Sequence, residues 1–179
     1  MPHIAWTAAR TTRSPFGTTG EAVSNTMGER MAMLERLVAS GTAAPEQLMP
    51  GTGLCNLEDT ITLIQQAAEI GCAAAMVLPP FFYPFSDEGL HRYYNRLIET
   101  LRTKVPKIIL YNIPQNTGVL ISPALSARLN TAFPNVVTAY KDSSGNWVNA
   151  AALIQAAQCI SVFPAPETLL SGAMALGAG

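Results

Sequence analysis

The stretch "KIILYNIPQNTGVLISPALSARLNTAFPNVVTAYKDSSGN" occupies residues 107–146 and contains two short apolar runs separated by an amphipathic segment. The runs at 107–114 and 135–141 are rich in β-branched residues, which predicts two strands. Between them Ser122 is a suitable helix N-cap and Pro123 occupies the first helical position, so residues 122–133 are predicted to be a helix. The stretch is therefore a strand–helix–strand unit.

The same alternation extends in both directions along the chain. Further strands are predicted at 72–80 and 160–167, and helices at 27–41, 56–71, 86–105 and 146–158. Asn56 and Ser86 are suitable N-caps, and Gly71 is a suitable helix end. The predicted strand ends recur at intervals of 24, 31, 30 and 23 residues, each close to one strand–helix unit, at Asn56, Pro80, Tyr111, Lys141 and Pro164.

The strand segments are continuous apolar runs and do not alternate with polar residues. Such strands are covered on both faces, as in a parallel sheet wrapped by helices, so the fold class is α/β. Both an open doubly wound sheet and a closed (β/α)₈ barrel produce this pattern, and the periodicity fits either one.

Composition narrows the class of partner. The 179 residues suggest one domain, with 49% hydrophobic and 13% charged residues, as in a well-buried globular protein. The formal net charge of −1 favours neither nucleic acid nor an anionic membrane, which leaves a small molecule. Three separated cysteines indicate neither a disulfide framework nor a zinc site and fit a reducing cytoplasm. No apolar run approaches the roughly 20 residues of a membrane span.

Polar residues follow the predicted strands, at the sheet edge where ligands bind in either architecture. Lys141 ends one apolar run, and a partly desolvated amine near a phenol can attack a ketone to form a Schiff base. The alternative is a surface ion pair with Asp142. Tyr111 ends the neighbouring run and could relay protons, because a phenol both donates and accepts; the alternative is half-buried packing.

The segment "GTTGE" at residues 17–21 is a glycine-flanked turn before a helix. Its backbone N–H groups and the hydroxyls of Thr18 and Thr19 suit a carboxylate, and the alternative is an ordinary turn. Because it lacks the Gly-Lys-Ser/Thr ending of a phosphate-binding loop, a nucleotide is not expected.

Four motifs in this order, "GTTGE", "LPPFFY", "LYNIPQNTG" and "YKDSSGN", resemble the dihydrodipicolinate synthase/N-acetylneuraminate lyase family of class I aldolases. The resemblance covers about residues 17–179 and implies a (β/α)₈ barrel. It implies that Lys141 forms a Schiff base with pyruvate or another 2-oxo acid and that Tyr111 and Thr18 form a proton relay. It implies that Thr19 and Gly17 help to hold the substrate carboxylate. It also implies a homo-oligomer, a family tetramer, and no metal or organic cofactor.

Two departures from the family pattern concern the second substrate. The synthases proper carry an arginine for the aldehyde's carboxylate where this chain has Asn116, and an amide cannot replace a bidentate guanidinium. They also place a tyrosine lent by a neighbouring subunit where this chain has Phe82, next to Tyr83. We therefore expect another 2-oxo-acid aldolase or dehydratase, with the lysine-pathway synthase as the alternative.

A complete barrel takes about 250 residues, so the resemblance implies a chain truncated at both ends, with about six of eight strand–helix units. Residues 1–16 are expected to be an unmatched leader and residues 17–179 a partial barrel, whose last residues, "GAMALGAG", lie in strand eight. Open sheet edges would then invite association. A non-catalytic remnant of the family is the remaining alternative.

Overall fold

The computed structural model describes residues 12–101, 105–156 and 159–178. Its sheet has four parallel strands in the order β1-β2-β3-β4. The strands are β1 (Ala74–Val77), β2 (Lys107–Asn112), β3 (Val137–Asp142) and β4 (Ser161–Pro164). Three of them lie inside segments that were predicted to be strands, and β3 extends one residue beyond the predicted segment 135–141.

Seven α-helices occur in the described ranges. They are α1 (Met27–Ala39), α2 (Leu57–Ile70), α3 (Asp87–Leu101), α4 (Pro114–Thr117), α5 (Pro123–Ala132), α6 (Trp147–Ala156) and α7 (Glu167–Ala175). Short 3₁₀ turns lie at Thr18–Gly20, Ala22–Ser24 and Pro45–Gln47. The predicted helices at 27–41, 56–71, 86–105, 122–133 and 146–158 match α1, α2, α3, α5 and α6, although part of two of them lies outside the described residues.

The predicted capping residues begin and end their helices as expected. The Asn56 side chain accepts hydrogen bonds from the first turn of α2, and Gly71 ends α2 in the left-handed conformation with φ of 89°. Ser122 accepts from the Leu125 N–H, with Pro123 in the first turn of α5. The Ser86 hydroxyl accepts from the Gly89 N–H at the start of α3.

Two further segments extend the sheet beyond β1. The first contains Leu48 and Gly51, and its Gly51 makes a parallel bridge to Met76 of β1. The second contains Arg13, which makes a parallel bridge to Leu48. Together with the four strands, these give six parallel segments. The number agrees with the expectation, but the members differ, because Arg13 lies in the predicted leader and residues 172–175 are helical. The described end of the predicted leader is therefore hydrogen-bonded to the neighbouring segment; the division at residue 16 itself stays a prediction.

The two faces of the sheet have different neighbours. One face packs under the helices in a large apolar cluster that includes Val77, Leu110 and Tyr140. The other face carries a smaller cluster of side chains from adjacent strands, including Met76, Tyr111 and Ala139. Helices on one face only, and a strand order that follows the sequence without reversal, are properties of a barrel wall and not of a doubly wound sheet.

The carboxyl-terminal expectation was wrong. Residues 172–175, expected in strand eight, belong to α7 instead, and its Glu167 lies in the first turn. That expectation came from the family resemblance; in the structure, Ala173 of α7 is buried in the apolar cluster under the helices. None of the helices in the described ranges is long and apolar enough to cross a bilayer.

Candidate active site

Tyr111 and Lys141 lie side by side at the carboxyl ends of β2 and β3. They are paired in the parallel register, so both side chains project from the same face of the sheet. The Lys141 amine lies 4.3 Å from the centre of the Tyr111 ring, within the range of a cation–π contact. Tyr111 is buried and Lys141 is half-buried. The structure therefore brings the predicted nucleophile and the predicted relay together.

Thr18 completes this group from a distant part of the chain. Its hydroxyl lies 2.9 Å from the Tyr111 hydroxyl, and either oxygen can be the donor. Thr18 begins a single 3₁₀ turn, in which the Gly20 and Glu21 N–H groups donate to Gly17 and Thr18 carbonyls. The predicted glycine-flanked turn before a helix is thus a three-residue 3₁₀ turn that precedes α1. Tyr111 thus contacts the Lys141 amine through its ring and Thr18 through its hydroxyl, so the three residues form one row.

A cavity of about 170 Å³ opens beside this row. Of the predicted site residues, Gly17, Thr18, Tyr111 and Asn116 line it, whereas Thr19 and Lys141 do not. Thr19 is exposed on the turn, and the Lys141 amine contacts the ring of Tyr111, which does line the cavity. Most of the remaining lining is apolar and comes from Phe16, Ala22, Val23, Met76, Leu78, Phe81 and Ile113.

Two buried glycines allow the loops around the cavity to approach each other closely. A Cβ added at Gly51 would lie 2.0 Å from the carbonyl oxygen of Phe16, and one at Gly53 would lie 2.6 Å from the backbone nitrogen of Leu78. Neither neighbour is the free end of a flexible side chain. Any larger residue at these positions would push the cavity wall outward.

The alternative interpretation of Lys141, a surface ion pair with Asp142, is wrong. Consecutive residues of a strand point to opposite faces, and Asp142 is 2% exposed on the helix side of the sheet. Its carboxylate accepts from the side chains of Asn112 and Asn149, at 3.0 and 3.2 Å. Lys141 therefore projects into the site without that partner.

Of the two residues that depart from the family pattern, Asn116 lines the cavity and Phe82 does not. Asn116 is exposed on the short helix α4, where it lines the cavity. Phe82 is 82% exposed and has a left-handed backbone with φ of 82°, and its ring makes an edge contact with Tyr83 at 5.0 Å. The cavity contact in this loop comes from Phe81, which the sequence analysis did not single out.

Several site residues were missed from the sequence. Asn112 and Asp142 directly follow Tyr111 and Lys141, and their signal was a polar residue at the end of an apolar strand. Gly51 and Gly53 had a signal in the pair of glycines separated by Thr52. In the described ranges, no cluster of His, Cys, Asp and Glu could hold a metal ion.

Comparisons with known proteins agree with this architecture. The sequence model of the Dihydrodipicolinate synthetase family matches residues 15–179. A 4-hydroxy-tetrahydrodipicolinate synthase from Thermus thermophilus is 35% identical over 164 residues, covering 90% of this chain and 53% of that protein. An uncharacterized DapA-like lyase from Chloroflexus aurantiacus is 34% identical, covering 91% and 54%. The chain thus spans about half the length of these curated relatives.

Solved structures give the same result. The dihydrodipicolinate synthase from Agrobacterium tumefaciens superposes with a TM-score of 0.91 at 32% identity, covering 94% of this chain and 58% of that one. A 2-keto 3-deoxygluconate aldolase from Picrophilus torridus gives 0.84 at 25% identity, covering 94% and 59%. Enzymes of this family are (β/α)₈ barrels that bind pyruvate as a lysine Schiff base, without a metal or organic cofactor. The chain belongs to the dihydrodipicolinate synthetase family, and its six parallel segments are part of that barrel.

Proposed function

We propose that the protein is a Schiff-base lyase or aldolase that acts on pyruvate or a related 2-oxo acid, with Lys141 as the nucleophile. The observation that carries this proposal is the placement of the Lys141 amine over the Tyr111 ring, whose hydroxyl bonds to Thr18. A nucleophile beside a group able to move protons is the arrangement that covalent catalysis of this type requires.

The reaction begins when the neutral amine attacks the C2 carbonyl of the 2-oxo acid. The resulting carbinolamine loses water to give an iminium ion, and loss of a C3 proton converts this ion to an enamine. In the condensation direction, the enamine carbon attacks an aldehyde carbonyl and forms the new carbon–carbon bond. Hydrolysis of the product iminium then releases the product and restores the amine; cleavage is the reverse sequence.

Tyr111 and Thr18 supply the proton transfers in this scheme. The carbinolamine needs a proton on its departing hydroxyl, and the aldehyde oxygen needs one as the new bond forms. A phenol hydrogen-bonded to a second hydroxyl can give a proton and be reprotonated from its neighbour. The 2.9 Å separation of the two oxygens suits this exchange. Within the same proposal, the turn at Gly17, Thr18 and Thr19 holds the carboxylate of the 2-oxo acid.

The second substrate is proposed from the mouth of the cavity. Asn116 offers a neutral amide there, and the lining of the cavity includes no lysine or arginine among the described residues. This favours an aldehyde or sugar-acid portion bound through hydroxyl groups, and 2-keto 3-deoxygluconate, named for one structural relative, is a suitable probe. The names of the curated relatives support the alternative, 4-hydroxy-tetrahydrodipicolinate synthase.

We extend the proposal to the oligomeric state and the cellular compartment of the protein. The family resemblance of the sequence motifs supports a homo-oligomer, and the cysteine pattern supports the cytoplasm. The competing proposal is a non-catalytic remnant of the family, which would retain the site residues without turnover.

Exchange of the pyruvate methyl protons tests the proposal without a second substrate. In deuterated buffer, enamine formation replaces these protons by deuterium, which proton NMR follows directly. We expect exchange above the buffer rate for the natural chain, loss of exchange in Lys141→Ala, and retention in Lys107→Ala. Lys107 is the matched control because it lies at the opposite end of β2. Exchange that persists in Lys141→Ala excludes Lys141, and its absence in the natural chain favours the remnant.

A further inference from the structure

A second pair of residues lies directly behind the Tyr111–Lys141 pair. Asn112 follows Tyr111 on β2, Asp142 follows Lys141 on β3, and the two are partners in the strand register. Both are buried on the helix side of the sheet, at 0% and 2% exposure. The Asn112 amide donates to the Asp142 carboxylate at 3.0 Å.

The carboxylate of Asp142 is held by neutral donors. Besides Asn112, it accepts from the Ser144 backbone N–H at 3.0 Å and the Asn149 amide at 3.2 Å. No salt bridge to Asp142 occurs among residues 12–101, 105–156 and 159–178. A buried carboxylate is tolerated only when its oxygens are hydrogen-bonded, so this position is expected to be intolerant of a side chain that cannot accept.

The remaining bonds of Asn112 connect the pair to the rest of the barrel edge. Its side-chain oxygen accepts from the Ile121 N–H at 3.1 Å, and its backbone carbonyl accepts from the Ser143 N–H at 2.8 Å. The Tyr140 hydroxyl donates to the Ile121 carbonyl at 2.6 Å. Burial raises the pKa of Tyr140 above its usual range, so this donor keeps its proton. The ends of β2 and β3 and the segment before α5 are thereby tied together.

We propose that Asn112 and Asp142 are positioning residues that hold the Tyr111 phenol and the Lys141 amine at their working separation. Asn112 directly follows Tyr111 in the chain, and Asp142 directly follows Lys141. The hydrogen bond between Asn112 and Asp142 joins the two strands at the register position next to the Tyr111–Lys141 pair. A misplacement of about 1 Å between reacting groups can lower the rate by about 100-fold. The catalytic part of this assignment rests on the proposed function.

The arrangement separates a hydrogen-bonding role from a charge role at Asp142. In Asp142→Asn, the new side-chain oxygen can keep the bonds from Asn112 and Ser144. Its new amide then faces the Asn149 amide, which can turn over and present its own oxygen. In Asp142→Ala, all three donors lose their acceptor. Positioning through hydrogen bonds therefore predicts that asparagine restores most of what alanine removes.

The test compares Asn112→Ala, Asp142→Ala and Asp142→Asn with Asn130→Ala. Asn130 is the matched control, because its amide bonds to the Val137 carbonyl at 2.8 Å, at the opposite end of β3 from Lys141. The first readout is the rate of borohydride trapping by pyruvate at saturation, together with the half-saturating pyruvate concentration. The second uses limiting acetic anhydride and the ratio of acetylation at Lys141 to that at Lys107, which needs no pyruvate.

The expected result is a 10- to 100-fold lower maximal trapping rate in Asn112→Ala and Asp142→Ala, at roughly unchanged half-saturation. In the same two variants, the ratio of acetylation at Lys141 to acetylation at Lys107 should change by about threefold, which is the scale of one cation–π contact. Asn130→Ala and Asp142→Asn should stay near the natural protein.

Three outcomes overturn the positioning role: natural ratios and rates in Asn112→Ala, equal losses in Asn130→Ala, or losses in Asp142→Asn that match Asp142→Ala. The last result would assign the role to charge. If the natural protein is not trapped by pyruvate, the proposed function fails while the acetylation ratio still decides whether Asn112 and Asp142 set the surroundings of the amine.

Discussion

The hydroxyls of Thr18 and Tyr111 lie 2.9 Å apart, although 93 residues separate them in the chain. The contact joins a loop near the start of the described chain to the end of a central strand of the sheet. The Lys141 amine lies over the same tyrosine ring. Tyr111 thus connects the turn proposed to bind the carboxylate to the proposed nucleophile.

A double-mutant cycle tests whether Thr18 acts through Tyr111. Tyr111→Phe should lower the rate constant of pyruvate proton exchange by roughly 10²–10⁴-fold, the usual scale for one acid–base group. Thr18→Val should lower it on its own but have little further effect when Tyr111→Phe is present, because the shared hydrogen bond is already lost. Independent, additive losses would separate the two residues, and a near-natural rate in Tyr111→Phe would reassign the tyrosine to packing.

Close packing at Gly51 makes a prediction about stability. Gly51→Ala should lower the free energy of unfolding by about 1–3 kcal/mol or more, because its Cβ would overlap the Phe16 carbonyl. Gly28→Ala is the control, since no atom lies within 4 Å of its added Cβ in helix α1. That substitution should be neutral or stabilising by about 0.5–1 kcal/mol. Urea unfolding measures both; equal effects would show that the close approach at Gly51 does not exist.

Substrate choice depends on Asn116 within the proposed function. An arginine there would offer a carboxylate two charge-assisted hydrogen bonds, roughly twice as strong as the neutral bonds of an amide. Asn116→Arg should therefore raise kcat/KM by about tenfold or more for aspartate semialdehyde, the aldehyde of the synthase alternative. The same change should lower kcat/KM for 2-keto 3-deoxygluconate.

Leu120→Arg is the control for this change in charge. Leu120 is exposed and is not part of the cavity lining, so an arginine at this position adds the same positive charge near Asn116 but outside the cavity. An equal gain in both variants would indicate general electrostatic attraction. If kcat/KM of the natural protein is already higher for aspartate semialdehyde than for 2-keto 3-deoxygluconate, the synthase alternative is favoured.

The three cysteines should differ in reactivity. Burial raises the pKa of Cys72 to about 11, from 9.0 for a free thiol, whereas Cys55 and Cys159 are exposed. Since the thiolate is the reactive form, iodoacetamide at pH 8 should label Cys72 at least about tenfold more slowly than Cys55. The unfolded thiol ionises first, so this group's contribution to stability is lost as pH rises from about 9 to about 11. Equal labelling of the folded chain would contradict the burial of Cys72.

Local signals in the sequence predicted much of the fold. Ser122 with Pro123 and Asn56 with Gly71 placed helix ends correctly, because capping depends on residues within one turn. Periodicity could not distinguish a barrel from an open sheet, since both contain the same local units. The resemblance of the four motifs to a family of barrels implied the barrel, and the order of strand pairing, which depends on contacts between distant segments, agrees with it.

The site was partly predictable for the same reason. Tyr111 and Lys141 could be placed at one edge because the ends of neighbouring parallel strands lie together. The contact between Tyr111 and Thr18 depends on tertiary packing, because the two residues are distant in the chain. The burial of the Asp142 side chain on the helix side of the sheet also depends on tertiary packing. The sequence neighbours Lys141 and Asp142 suggested an ion pair, but the alternation of strand side chains separates them.

Covalent trapping at Lys141 tests the central claim most directly. The natural chain is incubated with pyruvate and borohydride, which reduces the iminium carbon–nitrogen double bond to a stable secondary amine, and digestion with mass spectrometry locates the adduct. Lys141→Ala serves as the test variant and Lys107→Ala as the control. We predict one pyruvate-derived adduct, located at Lys141, present in Lys107→Ala and absent from Lys141→Ala. An adduct at another residue, or equal labelling of Lys141→Ala, would contradict the assignment of Lys141 as the Schiff-base residue.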